Sequence, residues 1–214
     1  GHSDQDGGAS PGAFGAAVGV KIRDDAPSYS GQPATFTGSI VFNGGSIDGT
    51  STGFRVGEPG KDNNGPNVEI NGVAISNATE SDVDNATDPA TGGVADISMA
   101  AGQGALDASA SQGVVHVTGS SGADEITTGS NDDVISGGAG NDTIDGGDGV
   151  DTVVYNGSFD DFSAVLGSLT LTDENPGDGN EGVDSLINIE KVAFSDTTAL
   201  IVGGDSAYTT IQAA

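Results

Sequence analysis

The chain has 214 residues, with 32 acidic against five basic side chains and a formal charge of -27. That balance argues against nucleic acid or an anionic membrane surface as a partner, because binding phosphate needs a basic footprint. Cysteine is absent, which removes disulfides, thiolate metal sites and Cys catalysis, and no apolar run approaches the roughly 18 residues of a transmembrane segment.

Residues 1–17 read as a flexible lead-in of Gly, Ala, Ser and Asp. Gly1-His2-Ser3 has the form of an expression-tag remnant, and no stretch has the form of a signal peptide. The chain is therefore expected to be a fragment of a longer protein. Residues 18–111 read as a β-rich domain of their own. Runs such as Ala34-Thr35-Phe36-Thr37-Gly38-Ser39-Ile40-Val41-Phe42 and Val68-Glu69-Ile70 are separated by Gly, Asn, Asp and Pro. Asn71-Gly72 between apolar runs is what a hairpin requires. Ile97 to Ala110 comes nearest to an amphipathic helix, but Gly102, Gly104 and Asp107 disfavour one.

Two motifs in this half carry possible chemistry. Gly49-Thr50-Ser51-Thr52-Gly53 fits the G-x-S-x-G elbow, which needs a strand-to-helix turn and a His partner. Only His2 and His116 are present and no helix follows, so no enzymatic role is expected. Asp82-Val83-Asp84-Asn85-Ala86-Thr87-Asp88 lacks the Gly and the terminal Glu of an EF-hand loop. It reads as a solvated loop, with an extra cation site as the alternative. The loop from Asp173 to Glu181 is similar.

A short strand from Gly113 to Thr118 leads into four nine-residue units, Gly119 to Val154. They read G-S-S-G-A-D-E-I-T, T-G-S-N-D-D-V-I-S, G-G-A-G-N-D-T-I-D and G-G-D-G-V-D-T-V-V. Asp recurs at 124, 133, 142 and 151, and an apolar residue at Ile126, Ile135, Ile144 and Val153. The last two units fit G-G-x-G-x-D-x-U-x, with U a large apolar residue. The next nine, Tyr155 to Ser163, keep the register, with Asp160 and Phe162 in the acidic and apolar places, and read as a degenerate fifth unit. Val165, Leu166, Leu169 and Leu171 predict a hairpin. Gly182 to Asp196 predicts a closing flank, which a repeat array needs to cover its last edge.

These units resemble the RTX (hemolysin-type calcium-binding nonapeptide repeat) family of secreted bacterial proteins. The resemblance implies an all-β chain: the N-terminal β domain, a right-handed parallel β-roll over 112–163, and a C-terminal β cap over 164–214. Six residues of each unit form a loop and three a strand, so two units complete a turn. Asp124 then stacks beside Asp142, Asp133 beside Asp151, and Asp160 beside Asp142 on the far side. Paired carboxylates about 4 Å apart at an effective dielectric near 20 repel by about 4 kcal/mol, and a divalent cation between them reverses the sign. An all-oxygen site suits Ca²⁺ better than Zn²⁺ or Mg²⁺.

Carried over from the family, the first site is Ser120, Gly122 and Asp124 with Gly137, Ala139 and Asp142. The second is Gly129, Asn131 and Asp133 with Gly146, Asp148 and Asp151. A third joins Gly138, Gly140 and Asp142 to Tyr155, Gly157 and Asp160. The Asp residues act through their side chains and the others through backbone carbonyls. At Asn131 a positive φ is expected, which Asn tolerates.

The resemblance also implies folding on calcium after export by type I secretion, and a secreted or cell-surface location. There is no H-E-x-x-H, so the metalloprotease domain that accompanies some RTX arrays is absent. Asp88-Pro89 is similar to the Asp-Pro bond cut in some self-processing RTX modules, but a turn is the reading its composition favours. Val68 to Ile75 resembles the I-N-G segment of flagellins and hook-associated proteins. The expected role is a calcium-dependent structural or adhesive part of a surface layer, filament or adhesin, with self-assembly or a cell-surface partner. The alternatives are the non-catalytic calcium-binding and secretion module of a hydrolase or toxin, and a glycan-binding domain at 18–111. Three Tyr and no Trp count against the last.

Overall fold

The computed structural model describes residues 16–20, 39–57, 67–88, 92–165, 168–177, 179–204 and 207–213. These residues form strands and one short 3-10 turn, with no α-helix among them. Most of the lead-in, residues 34–38 of the first expected strand, and Pro89, Leu166 and Asp178 lie outside the described residues.

The N-terminal half is a parallel solenoid. After β1 (Ala16–Val20), three strands trace one coil: β2 (Ser39–Asn43), β3 (Ser46–Asp48) and β4 (Thr52–Gly57). Another three trace the next: β5 (Asn67–Asn71), β6 (Ala74–Ser76) and β7 (Ser81–Ala86). Each strand lies parallel on its counterpart, Ser39 opposite Asn67, Ser46 opposite Ala74 and Thr52 opposite Ser81. β1 adds to the edge of β4 in the same sense. Asn71-Gly72 is therefore a corner between two sheets and not a hairpin. Gly72 takes φ 61 there, and the turn lets Val68, Ile70, Val73 and Ile75 all face the interior.

The elbow-like segment runs straight into β4 rather than into a strand-to-helix turn. The acidic stretch from Asp82 is strand rather than solvated loop. Asp84 is buried there and takes an Arg55 Nε–H bond of 2.7 Å.

Residues 97–110 hold strands and turns, not a helix: β8 (Ala95–Ser98) ends within them and β9 (Ala105–Asp107) follows. Ile97 and Leu106 each extend an apolar ladder, which outweighs the weak helical pattern. From here the coil has two sides. β10 (Val115–Thr118), β12 (Val134–Ser136) and β14 (Thr152–Val154) lie in one sheet, and β11 (Glu125–Thr127) and β13 (Thr143–Asp145) in the other. Val134 faces Thr152, 18 positions on, whereas Ser39 faces Asn67, 28 positions on. The third side accounts for the longer coil.

The expected boundary between residues 111 and 112 is not a break. One nine-stranded sheet starts β2-β5-β8-β10-β12-β14 and continues into the C-terminal strands. β8 pairs β10 in parallel register, Ile97 opposite Val117. The parallel coil thus begins well before the repeats. Two apolar ladders run up its interior. Ile70, Ile97, Val117, Ile135 and Val153 form one, and Leu106, Ile126 and Ile144 the other, all buried.

After β14 the chain leaves the coil. The described residues of 155–177 make the 3-10 turn Phe159–Asp161 and an antiparallel hairpin, β15 (Phe162–Val165) with β16 (Thr170–Asp173). The chain then returns as β17 (Val183–Ile187), which pairs β13 in parallel with Leu186 opposite Ile144. β18 (Lys191–Ala193) likewise pairs β14, with Val192 opposite Val153.

The degenerate unit expected at Tyr155 to Ser163 is therefore displaced. Asp184 and Leu186, not Asp160 and Phe162, continue the acidic and apolar columns. Phe162 is only half-buried and packs at the end of the core with Tyr155, Phe159 and Phe194, ring centroids 4.9–5.9 Å apart. Parallel pairing stops on both sides of the coil. β16 runs antiparallel on β17, and β19 (Thr198–Gly204) runs antiparallel on β18, followed by β20 (Ala207–Ala213).

Candidate metal centres

Each unit is a six-residue loop followed by a three-residue strand, and the strand register fixes which loops touch. Ile126 faces Ile144 and Ile135 faces Val153, so loop 119–124 stacks on 137–142, and loop 128–133 on 146–151. The backbone N–H of Asp124 donates to Asp142 Oδ1 at 2.9 Å, and that of Asp133 to Asp151 Oδ1 at 2.8 Å. Every Asp of the column is buried: 124, 133, 142, 151 and 184.

The two carboxylate oxygens of Asp133, Asp142 and Asp151 differ in their surroundings. Oδ1 accepts from a backbone N–H of the preceding coil. Oδ2 points to the following one: a Cβ placed on Gly146 would meet both the Asn188 carbonyl, at 2.5 Å, and Asp151 Oδ2, at 2.8 Å. Oδ2 of Asp133, Asp142 and Asp151 is buried with no hydrogen-bond partner. A buried carboxylate oxygen without a partner is costly. Burial accordingly pushes the carboxyl of Asp142 up, that of Asp133 to about 6 and that of Asp151 to about 7. Their neighbouring acids add to the rise for Asp142 and Asp151.

The loop backbone supplies the rest of the environment. Gly138, Gly140, Gly147 and Gly149 take φ of 90, 131, 80 and 152, and Asn131 takes φ 91, as expected for it. A side chain at Gly138 would collide with the Ser120 carbonyl, and one at Gly149 with the Asn131 carbonyl. Adjacent loops are thus close enough for carbonyls of one to approach the other. Between loops 128–133 and 146–151, Asn131 N donates to the Asp148 carbonyl and Asp148 N to that of Gly129.

The structure thus brings together the residues expected for the first two sites. Ser120, Gly122 and Asp124 lie on the loop beside Gly137, Ala139 and Asp142, and Gly129, Asn131 and Asp133 on the loop beside Gly146, Asp148 and Asp151. The first pair differs in one respect. Ser120 N and Oγ donate to Asp124 Oδ2 and Oδ1, at 2.6 and 3.1 Å, so this carboxylate already has donors.

The third expected set does not assemble. Gly138, Gly140 and Asp142 face loop 179–184, while Tyr155, Gly157 and Asp160 belong to the inserted segment. Among the described residues no three His, Cys, Asp or Glu side chains form a metal cage. The carboxylates act in pairs, and further ligands must come from backbone oxygens.

Compared with known protein families, residues 118–153 match four copies of the RTX calcium-binding nonapeptide repeat, HemolysinCabind. Residues 118–153 are RTX calcium-binding repeats. The orphaned Asp oxygens and left-handed loop positions fit that chemistry, because Ca²⁺ takes carboxylate and carbonyl oxygens together. RTX repeats typify secreted proteins. No match was found among curated proteins or solved structures. The flagellin likeness of Val68 to Ile75 has no support, and that segment is strand and corner of the solenoid. No helix among the described residues is long and apolar enough to cross a membrane.

Sequence reasoning placed the RTX repeats but missed Asp184 and Glu190, and it read Glu181 only as part of a solvated loop with a cation site as the alternative. Asp142 N donates to Asp184 Oδ1, at 2.8 Å, and Asp151 N to Glu190 Oε2, at 2.9 Å, the same bonds made inside the RTX array. A signal was available. Gly179-Asn180-Glu181-Gly182-Val183-Asp184-Ser185-Leu186-Ile187 has the nine-residue pattern, but it does not follow Val154 directly.

Proposed function

We propose that the chain is a calcium-gated structural segment of an exported bacterial protein, without enzymatic activity, serving a surface layer, filament or adhesin. The observation that carries this reading is the row of buried Asp Oδ2 atoms without partners along one continuous parallel coil. Ca²⁺ supplies positive charge and oxygen coordination to that row. Asp133 and Asp151, with carbonyls of Gly129, Asn131, Gly146 and Asp148, hold one ion. Asp124 and Asp142, with Ser120, Gly122, Gly137 and Ala139, hold another, where Ser120 already donates to Asp124.

Each site adds ~2.7 kcal/mol of stability when free Ca²⁺ exceeds its Kd about 100-fold. Extracellular modules of this kind bind at roughly 10⁻⁴–10⁻³ M. In low-calcium cytosol the repeats stay unfolded and compatible with a type I export channel, and outside the cell they fold. The continuity of the nine-stranded sheet favours a structural rod over a separate catalytic or glycan-binding domain joined to a calcium module.

Light scattering with added Ca²⁺ tests the reading. Large ordered particles are expected in millimolar Ca²⁺ and none in EGTA. A strict monomer that binds Ca²⁺ would point instead to the calcium-binding module of a secreted hydrolase or toxin.

A further inference from the structure

The RTX match ends at residue 153, yet Asp142 Oδ2 has no partner and its loop faces a later segment. That segment is 179–184, brought back after the inserted hairpin. Four features of its seat repeat those inside the RTX array. β17 lies on β13 in the register that β13 keeps on β11, Leu186 on Ile144 as Ile144 on Ile126. Asp142 N donates to Asp184 Oδ1 as Asp124 N donates to Asp142 Oδ1. Gly182, at φ 78, lies so close to the Gly140 carbonyl that a Cβ would collide with it, as Gly140 does with the Gly122 carbonyl. Asn180 takes the left-handed backbone, φ 51, one unit on from Gly138.

We propose that Gly179 to Ile187 is a fifth calcium-binding nonapeptide, displaced by the insertion, and that it holds a further Ca²⁺ between Asp142 and Asp184. Resting on the calcium reading of the repeats, it extends that reading to residues outside the RTX match. By repeat position, Asp142 and the carbonyls of Gly138 and Gly140 serve the site from one loop, and Asp184 with the carbonyls of Gly179 and Glu181 from the other; the Gly140 carbonyl lies against Gly182 of that loop. The Glu181 side chain is buried and accepts bonds of 3.0 and 3.1 Å from Asn156 N. It ties the start of the insertion to the returning loop.

Tyr155 marks the end of the column. Its hydroxyl donates to Asp184 Oδ2 at 2.8 Å inside the core. In the other coils that oxygen faces the next loop. Beyond Asp184 the sheet turns antiparallel, and β16 replaces a further coil. The phenol takes the place that a further cation would occupy, and it closes the array with a protein group.

The test is an ion count on the full chain, by native mass spectrometry at saturating Ca²⁺, joined to Tb³⁺ luminescence. Asp184→Asn is expected to bind one Ca²⁺ fewer than the parent, and Asp160→Asn the same number. Tyr-sensitised Tb³⁺ emission is expected in the parent and to fall several-fold in Tyr155→Phe, a change that leaves the aromatic packing in place. An unchanged count in Asp184→Asn, or emission undiminished in Tyr155→Phe, would overturn the fifth unit while leaving the repeats calcium-binding. A parent chain that binds no Ca²⁺ at all would overturn the calcium reading itself.

Discussion

A single carboxylate shows the conflict that a bound cation would relieve. Asp133 is buried and accepts a bond from Val115 N on Oδ1, while its Oδ2 makes no hydrogen bond. Without a cation, the folded state holds a proton on such a group more tightly than the unfolded chain does. The carboxyls of Asp133, Asp151 and Asp184 stand at about 6, 7 and 7, raised chiefly by burial from an ordinary value of 3.8. Proton binding therefore stabilises the metal-free fold at acid pH, and that stability is lost as pH rises through 6 to 7. In EGTA, urea midpoints followed by circular dichroism should be higher at pH 5 than at pH 8. In saturating Ca²⁺ the order should reverse, because the ion competes with protons for the same oxygens.

The loop glycines allow a test at the same scale. Gly138→Ala puts a Cβ at φ 90 into the Ser120 carbonyl. It should lower the stability of the calcium-loaded protein by about 1 kcal/mol or more and weaken calcium binding in calorimetry.

Among the elements, three-residue strands are too short to be stable by propensity. They hold because each contributes one side chain to a continuous ladder. Ile126, Ile135, Ile144 and Val153 are all 0% exposed. Ile144→Ala should cost about 2–5 kcal/mol, read as a lower melting temperature in Ca²⁺, since Ile126 and Leu186 both pack on it.

The repeats were legible in the sequence because their period never slips between Gly119 and Val154. The N-terminal coils were not read as coils, although Ile40-Val41-Phe42-Asn43-Gly44 and Val68-Glu69-Ile70-Asn71-Gly72 recur 28 residues apart. Two copies with drifting residues resemble ordinary strands, and Asn-Gly serves a solenoid corner as well as a hairpin. The fifth unit escaped for another reason. Asp160 and Phe162 fall on the nine-residue grid by position, but the insertion carries them off the coil, and Asp184 takes the place.

For the whole molecule, the balance lies between ladder burial and charge. The formal charge is -27, and no Lys or Arg lies between Gly119 and Val154. Self-repulsion of that size opposes compaction most strongly where the Asp columns stack. The N-terminal coils differ. Their interior carries Phe54, Val56, Val68, Ile70, Ile75 and Val83, and their buried acid Asp84 is paired with Arg55. Calcium should therefore govern β11–β14 and the returning β17 more than β5–β8.

Hydrogen exchange resolved by segment tests the calcium-gated fold most directly. In EGTA at pH 7.5, amides of β11–β14 should exchange near the unprotected rate, and millimolar Ca²⁺ should protect them by several orders of magnitude. Equal protection of β11–β14 with and without Ca²⁺ would contradict it.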